Sequence, residues 1–442
     1  MLTSLQFIKN VIYMLETFPS SDSAWTIPKQ NLRMRYFLSI LNYLFQAIFA
    51  TFTAKFITMY LYAYLTLSAW AVFLISSVSY IPLLLKPFLG YWLTKRIQQV
   101  FQTKSPFTYR KWMAAGSVIL FGVLIALSFI SSSSQLVLFI IVLFGAQLGF
   151  AGLDVLADNL ILEGGKSVNR NFGQVQQFAA VIGAIISLLL YNVFVKDDVA
   201  AGNWQGLFLS LAGGMILLGG ATAVYHDIIK PVSEKHRIIL SFRDIKKKIT
   251  PNHWLFICLL FFLNVAYIVD FQSEMIVDAR FGDMVLRQLF LAQTIGMIIG
   301  YGVVLLGFIF QKKIFTYRKQ IFVVAGVYSF AYLVLMPFAP VWLLFALSIG
   351  YSPINTLMMM VIISLMATFS PSNHPGFWYQ VNAGIYALSR FVFTNLGNGL
   401  YAGLQLDPTD PLLFFIAGGL LFLNLPFLIK LQIPNNSRSI ES

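Results

Sequence analysis

The chain has 442 residues, of which 58% are hydrophobic, 16% aromatic and 11% charged, with a mean hydropathy of +0.77. A soluble domain carries roughly 25% charged residues, so a water-soluble globular protein of this length, or any large soluble domain within it, is excluded. The formal net charge of +13 would suggest nucleic acid in a soluble chain. Here the cations sit in connectors between apolar runs, which points to membrane orientation and to no nucleic-acid partner.

In chain order, residues 1–33 are mixed polar and lack the short apolar core and cleavage site of a secretory signal. Leu5, Phe7, Ile8, Val11, Ile12 and Leu15 either form the apolar face of a short interfacial helix or belong to an ordinary cytoplasmic lead-in. A span needs ~20 mainly apolar residues. Apolar runs fall at 35–63, 69–93, 112–131, 135–162, 172–195, 206–226, 254–279, 286–310, 320–338, 341–367, 377–403 and 411–431. The connectors at 131–134 and 337–340 read as helix reversals. The expected fold is an all-α membrane protein of twelve transmembrane helices in two six-helix pseudo-symmetric halves. Its expected layout is an N-terminal cytoplasmic segment over 1–33, a first half over 34–226, a basic linker over 227–253, a second half over 254–432 and a tail over 433–442.

Orientation follows from the basic residues, which favour cytoplasmic loops. With the N-terminus placed in the cytoplasm, only Lys196, Arg280 and Arg287 fall in the outer connectors, while Lys55, Lys86 and Arg390 fall inside spans. Every other Lys and Arg is then cytoplasmic, which predicts a multi-pass protein of the cell membrane with both termini inside. The pentapeptide Phe107-Thr108-Tyr109-Arg110-Lys111 recurs as Phe315-Thr316-Tyr317-Arg318-Lys319, just before spans three and nine. A weaker echo links Phe172-Gly173-Gln174-Val175 to Phe377, Gln380 and Val381 at the starts of spans five and eleven. Two parallel repeats about an axis along the membrane normal describe the major facilitator fold.

Charge inside a membrane is costly and usually faces a cavity or a partner. Span four carries Asp154 and Asp158 on one helix face, with Glu163 at its inner end; span seven carries Asp270, Glu274 and Asp278 at the same spacing. The functional reading makes Arg390 and Lys55 counter-ions of an anionic substrate and Asp154 or Asp270 a proton-titrating site, with Glu274, Gln147 and Asn355 beside them. The structural reading pairs Asp158 or Glu163 with Lys86, Arg96 or Arg110 at a cytoplasmic gate near Gly90, and Lys55 with Glu274 at an outer gate. Asp278 is expected to be a solvated end residue. Gln46, Gln147, Asn159, Asn264, Asn355, Thr356 and Asn382 either line a cavity or bond helix to helix. Met358, Met359 and Met360 read as packing or lipid-facing residues, and Trp70 and Trp112 as interface anchors. All four His (His226, His236, His253, His374) lie in loops or at span edges, and the single Cys258 excludes an internal disulfide framework. No phosphate-binding glycine loop occurs. Neither an enzyme, a metal site nor a cofactor is expected.

Lys86-Pro87-x-x-Gly90, the basic Tyr109-Arg110-Lys111, Asp154-Val155-x-Ala157-Asp158-x-Leu160-x-x-Glu163 and Gly173-x-x-Gln176 resemble the folate–biopterin transporter family, a branch of the major facilitator superfamily. The likeness is confined mostly to the first half. One departure stands out: four residues after Gly90, where the superfamily's loop usually carries an acid, stands Thr94. The resemblance implies uptake or exchange of a pteridine-like or other organic anion by alternating access, with protons or another ion as coupling partner. Pigment-complex assembly proteins share the branch, which keeps a scaffold role open. A sugar–cation symporter is the other transporter reading, because paired Asp residues in span four suit cation coupling. The expected partners are the lipid bilayer and a small-molecule substrate, and the expected state is a monomer.

Overall fold

The computed structural model describes residues 29–57, 60–67, 69–103, 109–162, 166–195, 202–224, 250–309, 317–370, 375–407 and 409–432. The predicted apolar face near the N-terminus, most of the basic linker, Glu163 and the C-terminal tail lie outside them. The described residues are helical with short connectors and contain no strand. Span one is a helix over Lys29–Thr51 continued by π-helical turns at Phe52–Phe56 and Tyr60–Tyr64; span two is a helix over Ala69–Leu84 followed by a second over Lys86–Thr103. Spans three to six are Tyr109–Ser128, Leu136–Leu162, Lys166–Phe194 and Trp204–Val224. Span seven is broken into Pro251–Phe262, a 3-10 segment at Val265–Val269, and Asp270–Phe281. Spans eight to eleven are Asp283–Ile309, Arg318–Leu335, Val341–Thr368 and Pro375–Gly403; span twelve is Leu412–Leu421 with Asn424–Lys430.

Eight of these, spans three to seven, nine, ten and twelve, contain windows long and apolar enough to cross a membrane on composition alone. The other four are one, two, eight and eleven. Spans one and two are interrupted, span eight holds only a short apolar stretch at Leu291–Gly300, and span eleven is diluted by Gln380, Asn382, Arg390 and Asn395. Spans two, eight and eleven supply much of the contact between the halves. Span two packs on span eleven, span five packs on spans eight and ten, and span four also meets span eleven. Polarity is therefore concentrated where helices face each other rather than lipid. The outward faces are apolar: Val118, Val137, Ile141, Leu189, Val193 and Leu217 are all more than half exposed. In water such a surface would drive aggregation; in a bilayer it is solvated by acyl chains. The chain is an integral membrane protein.

The apolar core has three main parts. One fills the first half around Phe52, Tyr60, Phe139, Trp204 and Phe208. Another fills the second half around Val265, Ile268, Leu333 and Phe414. The third spans both halves, joining Tyr43, Ala157, Ile161 and Val175 to Phe256, Val361, Leu365 and Tyr379. This shared core sits at the end of the bundle where odd-numbered spans begin, called here the linker end.

The broken span seven shows how the fold tolerates irregular backbone in a membrane. No Pro or Gly lies at the break. The carbonyl of Phe261 accepts a hydrogen bond from Ser389 Oγ of span eleven, and that of Phe262 accepts one from Asn424 Nδ2 of span twelve at 3.0 Å. Asn264 Nδ2 in turn donates to the Tyr386 carbonyl at 2.9 Å. Carbonyls freed by a lost helical turn must be satisfied internally when no water is present, and these neighbours satisfy them.

Candidate functional site

Lys86 owes its position to a proline-driven break. Pro82 and Pro87 each lack the N–H that would close a helical turn, and span two is interrupted at Leu85. Lys86, just past the break, forms an ion pair with Asp154 of span four. Asp154 is almost fully buried, and its second oxygen, Oδ1, has no hydrogen-bond partner among the described residues. Among the described residues the partner of Lys86 is thus Asp154 rather than Asp158; Glu163, the other acid the sequence suggested, lies outside them. The break turns the lysine toward the acid one helical turn deeper.

Asp158, one turn nearer the linker end and fully buried, takes neutral donors instead. Tyr43 Oη of span one donates to its Oδ1 at 2.5 Å, and Gln380 Nε2 of span eleven donates to its Oδ2 at 2.8 Å. The carboxyl group thereby bridges the two halves. Tyr379 Oη donates to Gln176 Oε1 of span five at 3.1 Å, a second bond across the same seam. Close backbone approach accompanies these bonds. A Cβ at Gly90 would stand 2.9 Å from Gln380 Cβ, and one at Gly173 would stand 2.4 Å from the Met360 carbonyl oxygen. Asn382, also expected among the polar lining, donates to the Met366 carbonyl at 3.2 Å and lies 3.3 Å from His253 Nε2. That arrangement is helix-to-helix bonding inside the second half.

Arg390 occupies a different level. At 1.5 Å rise per residue it sits ~22 Å from the start of span eleven, whereas Asp154 and Asp158 lie ~12 and ~6 Å from the linker end of span four. Its guanidinium lies over the Tyr267 ring, 4.3 Å from the centroid, and 5.2 Å from that of Tyr80. Tyr80 belongs to span two and Tyr267 to the 3-10 segment of span seven, so both halves contribute a ring. Guanidinium on aromatic faces is a favourable cation–π arrangement. One turn further toward the far end, Ser77 Oγ of span two donates to Asn395 Oδ1 at 2.9 Å, again across the seam.

Gln147 is buried and Asn355 half-buried, each near the middle of its span. The side chains of Lys55, Asp270, Glu274 and Asp278 lie outside the described residues, so the expected outer gate has no described geometry. The backbone places Lys55 in the π-helical turn of span one and Asp270 at the start of the helix that follows the 3-10 segment. Arg96 is exposed and Arg110 half-buried at the start of span three. The structure therefore brings Lys86, Asp154, Asp158 and Gly90 together near the linker end and sets Arg390 apart at mid-depth. Tyr43, Tyr80, Tyr267, Gln176, Tyr379 and Gln380 complete these clusters. Gln380 carried a faint signal through the repeat and Gln176 through the resemblance; the tyrosines, among 20 in the chain, carried none.

Neither a family model nor a curated relative matches the chain. Solved structures do. The proton:xylose symporter XylE bound to 6-bromo-6-deoxy-D-glucose superimposes with a TM-score of 0.66 at 12% identity, covering 92% of this chain and 97% of its own. The human organic anion transporter MFSD10 (TETRAN) gives a TM-score of 0.63 at 12% identity, covering 91% of this chain and all of its own. The chain has the major facilitator fold, with twelve helical spans in two bundles among the described residues.

Proposed function

We propose that the protein is a secondary transporter of a small organic solute that works by rocking its two halves about a central site, with an organic anion as substrate. The observation that carries the reading is Arg390. A cation at mid-depth in the bilayer, on the seam between the halves, is costly unless it serves a partner. It rests on rings from both halves, so any rocking changes its surroundings. An anionic group entering between the halves would gain a charge-assisted hydrogen bond from the guanidinium, the geometry Arg offers best to carboxylates. Tyr80 and Tyr267 offer flat faces for a planar substrate, which fits the pteridine-like class implied by the resemblance in the first half. The likeness to MFSD10, an organic anion transporter, points the same way.

The linker-end cluster fits the inner gate of such a cycle. Opening there would break Gln380–Asp158 and Tyr379–Gln176 and separate the Gly90 and Gly173 contacts. These are neutral or singly charged hydrogen bonds, each worth about 0.5–3 kcal/mol net, strong enough to hold a state and weak enough to release it. Asp154, with one oxygen on Lys86 and one without a hydrogen-bond partner among the described residues, is the proposed ion-coupling group. The paired acids of span four suit cation coupling, which, together with the likeness to the proton:xylose symporter XylE, supports a sugar–cation symporter as the second reading.

Flux of labelled solutes in proteoliposomes tests both. Uptake of an organic anion, saturable and abolished by Arg390→Ala, is the expected result. Uptake of sugars alone would select the second reading. No flux of any anion or sugar by correctly folded protein would leave a scaffold role.

A further inference from the structure

A cavity away from the seam combines cations with aromatic faces. Trp92, Lys95, Arg96 and Trp112 line an open space of about 280 Å³ where span two ends and span three begins, on the periphery of the linker end. The two indoles meet edge to face, with centroids 5.3 Å apart and an interplanar angle of 81°. Trp92 is 48% and Trp112 40% exposed, and Lys95 and Arg96 are exposed beside them. Phe88, Trp92 and Arg96 stand at four-residue spacing, hence on one helix face. Toward the bilayer centre that face continues into Phe88, and span three adds Val118 and Ile119, all more than 60% exposed.

From mid-bilayer outward the surface thus runs from bare aliphatic and aromatic side chains, through two indoles at the depth that suits Trp, to a pair of cations. The sequence from Lys86 to Trp112 holds Lys86, Lys95, Arg96, Lys104, Arg110 and Lys111 and no Asp or Glu. Such a segment attracts anions. The aliphatic track leading away from the cations matches an anion that carries acyl chains. We propose that this cavity binds the phosphate-bearing headgroup of an anionic phospholipid from the adjoining leaflet, with Lys95 and Arg96 on the phosphate. The two indoles flank the glycerol region, and one acyl chain lies along Phe88, Val118 and Ile119. Basic pockets at membrane surfaces gain affinity with each cation near the headgroup plane, and the distribution of Lys and Arg places this end in the cytoplasmic leaflet. The proposal does not depend on what the protein transports.

The test uses the full chain in lipid nanodiscs and tryptophan fluorescence. Phosphatidylglycerol or phosphatidylcholine with brominated acyl chains is added in increasing mole fraction, and the quenching lost in a Trp92→Phe/Trp112→Phe variant is assigned to this site. Brominated phosphatidylglycerol is expected to quench that component at about ten-fold lower mole fraction than phosphatidylcholine. Lys95→Gln/Arg96→Gln should erase the preference, while Lys95→Arg/Arg96→Lys should retain it. Equal quenching by the two lipids in the unaltered protein would overturn the proposal. So would a preference that survives the double glutamine variant or is lost when charge is kept. Inorganic phosphate is added in a parallel arm. If it displaces the brominated lipid, the site takes free phosphate and the lipid assignment fails; unchanged quenching supports it.

Discussion

The two ends of the bundle are built differently. At the linker end the halves touch through Asp158–Gln380 and Gln176–Tyr379, through glycines that leave no room for a Cβ, and through a shared apolar core. Toward the far end, spans one and seven, the first of each half, leave α-helical geometry in π-helical and 3-10 turns. One end is regular helix latched by side chains; toward the other the backbone is irregular, and in span seven it is held by side chains of spans eleven and twelve. Irregular turns inside spans mark functional places in many helices, and transporter sites are commonly built where helices are broken. For the proposed cycle the contrast suggests a division of labour: the latch at the linker end would open without rebuilding any backbone, and the broken turns would reshape around a substrate.

The sharpest way to break this contrast is to unbalance the ion pair behind the latch. Lys86→Ala leaves Asp154 buried without its cation, a loss of about 3–5 kcal/mol. A large fall in melting temperature in detergent is expected, mostly recovered in Lys86→Ala/Asp154→Ala. A single variant as stable as the parent would mean that the pair contributes nothing. Arg390→Ala tests the mid-depth site rather than the latch. Ligand affinity by thermal shift should fall at least ten-fold, the scale of about 1.5–3 kcal/mol for a hydrogen bond to a charged group, with stability nearly kept. Lost folding at unchanged affinity would make Arg390 structural. Ser389→Ala leaves the Phe261 carbonyl buried and unbonded, costing about 1–3 kcal/mol and speeding hydrogen exchange around residues 261–269. Exchange that stays unchanged would separate the broken turn from its support. The smallest effect belongs to Tyr60→Phe. It removes one bond, 2.5 Å long, to the Ile130 carbonyl, for about 1 kcal/mol, read as a slight drop in thermal stability without change in flux.

Charge among apolar residues is visible in a sequence, which is why Lys86, Asp154, Asp158 and Arg390 stood out before any geometry. Their partners did not. Pairing depends on helix rotation and on the break at Leu85, which sets Lys86 against Asp154 where the sequence suggested Asp158 or Glu163. Tyr43, Tyr80 and Tyr267 were hidden among ordinary membrane aromatics, because a ring that anchors at an interface and one that faces a guanidinium have the same hydropathy. The break in span seven was hidden for another reason: the groups that make it tolerable, Ser389 and Asn424, lie more than a hundred residues away in sequence. Helix ends were read more loosely than helix existence. Span five begins at Lys166 rather than 172, and span two runs on to Thr103 rather than ending at 93, since polar turns continue a helix beyond the lipid.

The central claim is that the halves separate at the linker end. Spin labels at Lys111→Cys and Lys319→Cys, equivalent positions at the starts of spans three and nine and both exposed, report that separation directly in a Cys258→Ser background. Double electron–electron resonance in nanodiscs should show a short distance and a longer one, and Gln380→Ala, which removes one latch, should enlarge the longer population. A single distance, unchanged by Gln380→Ala and by every solute that the protein binds, would contradict the account.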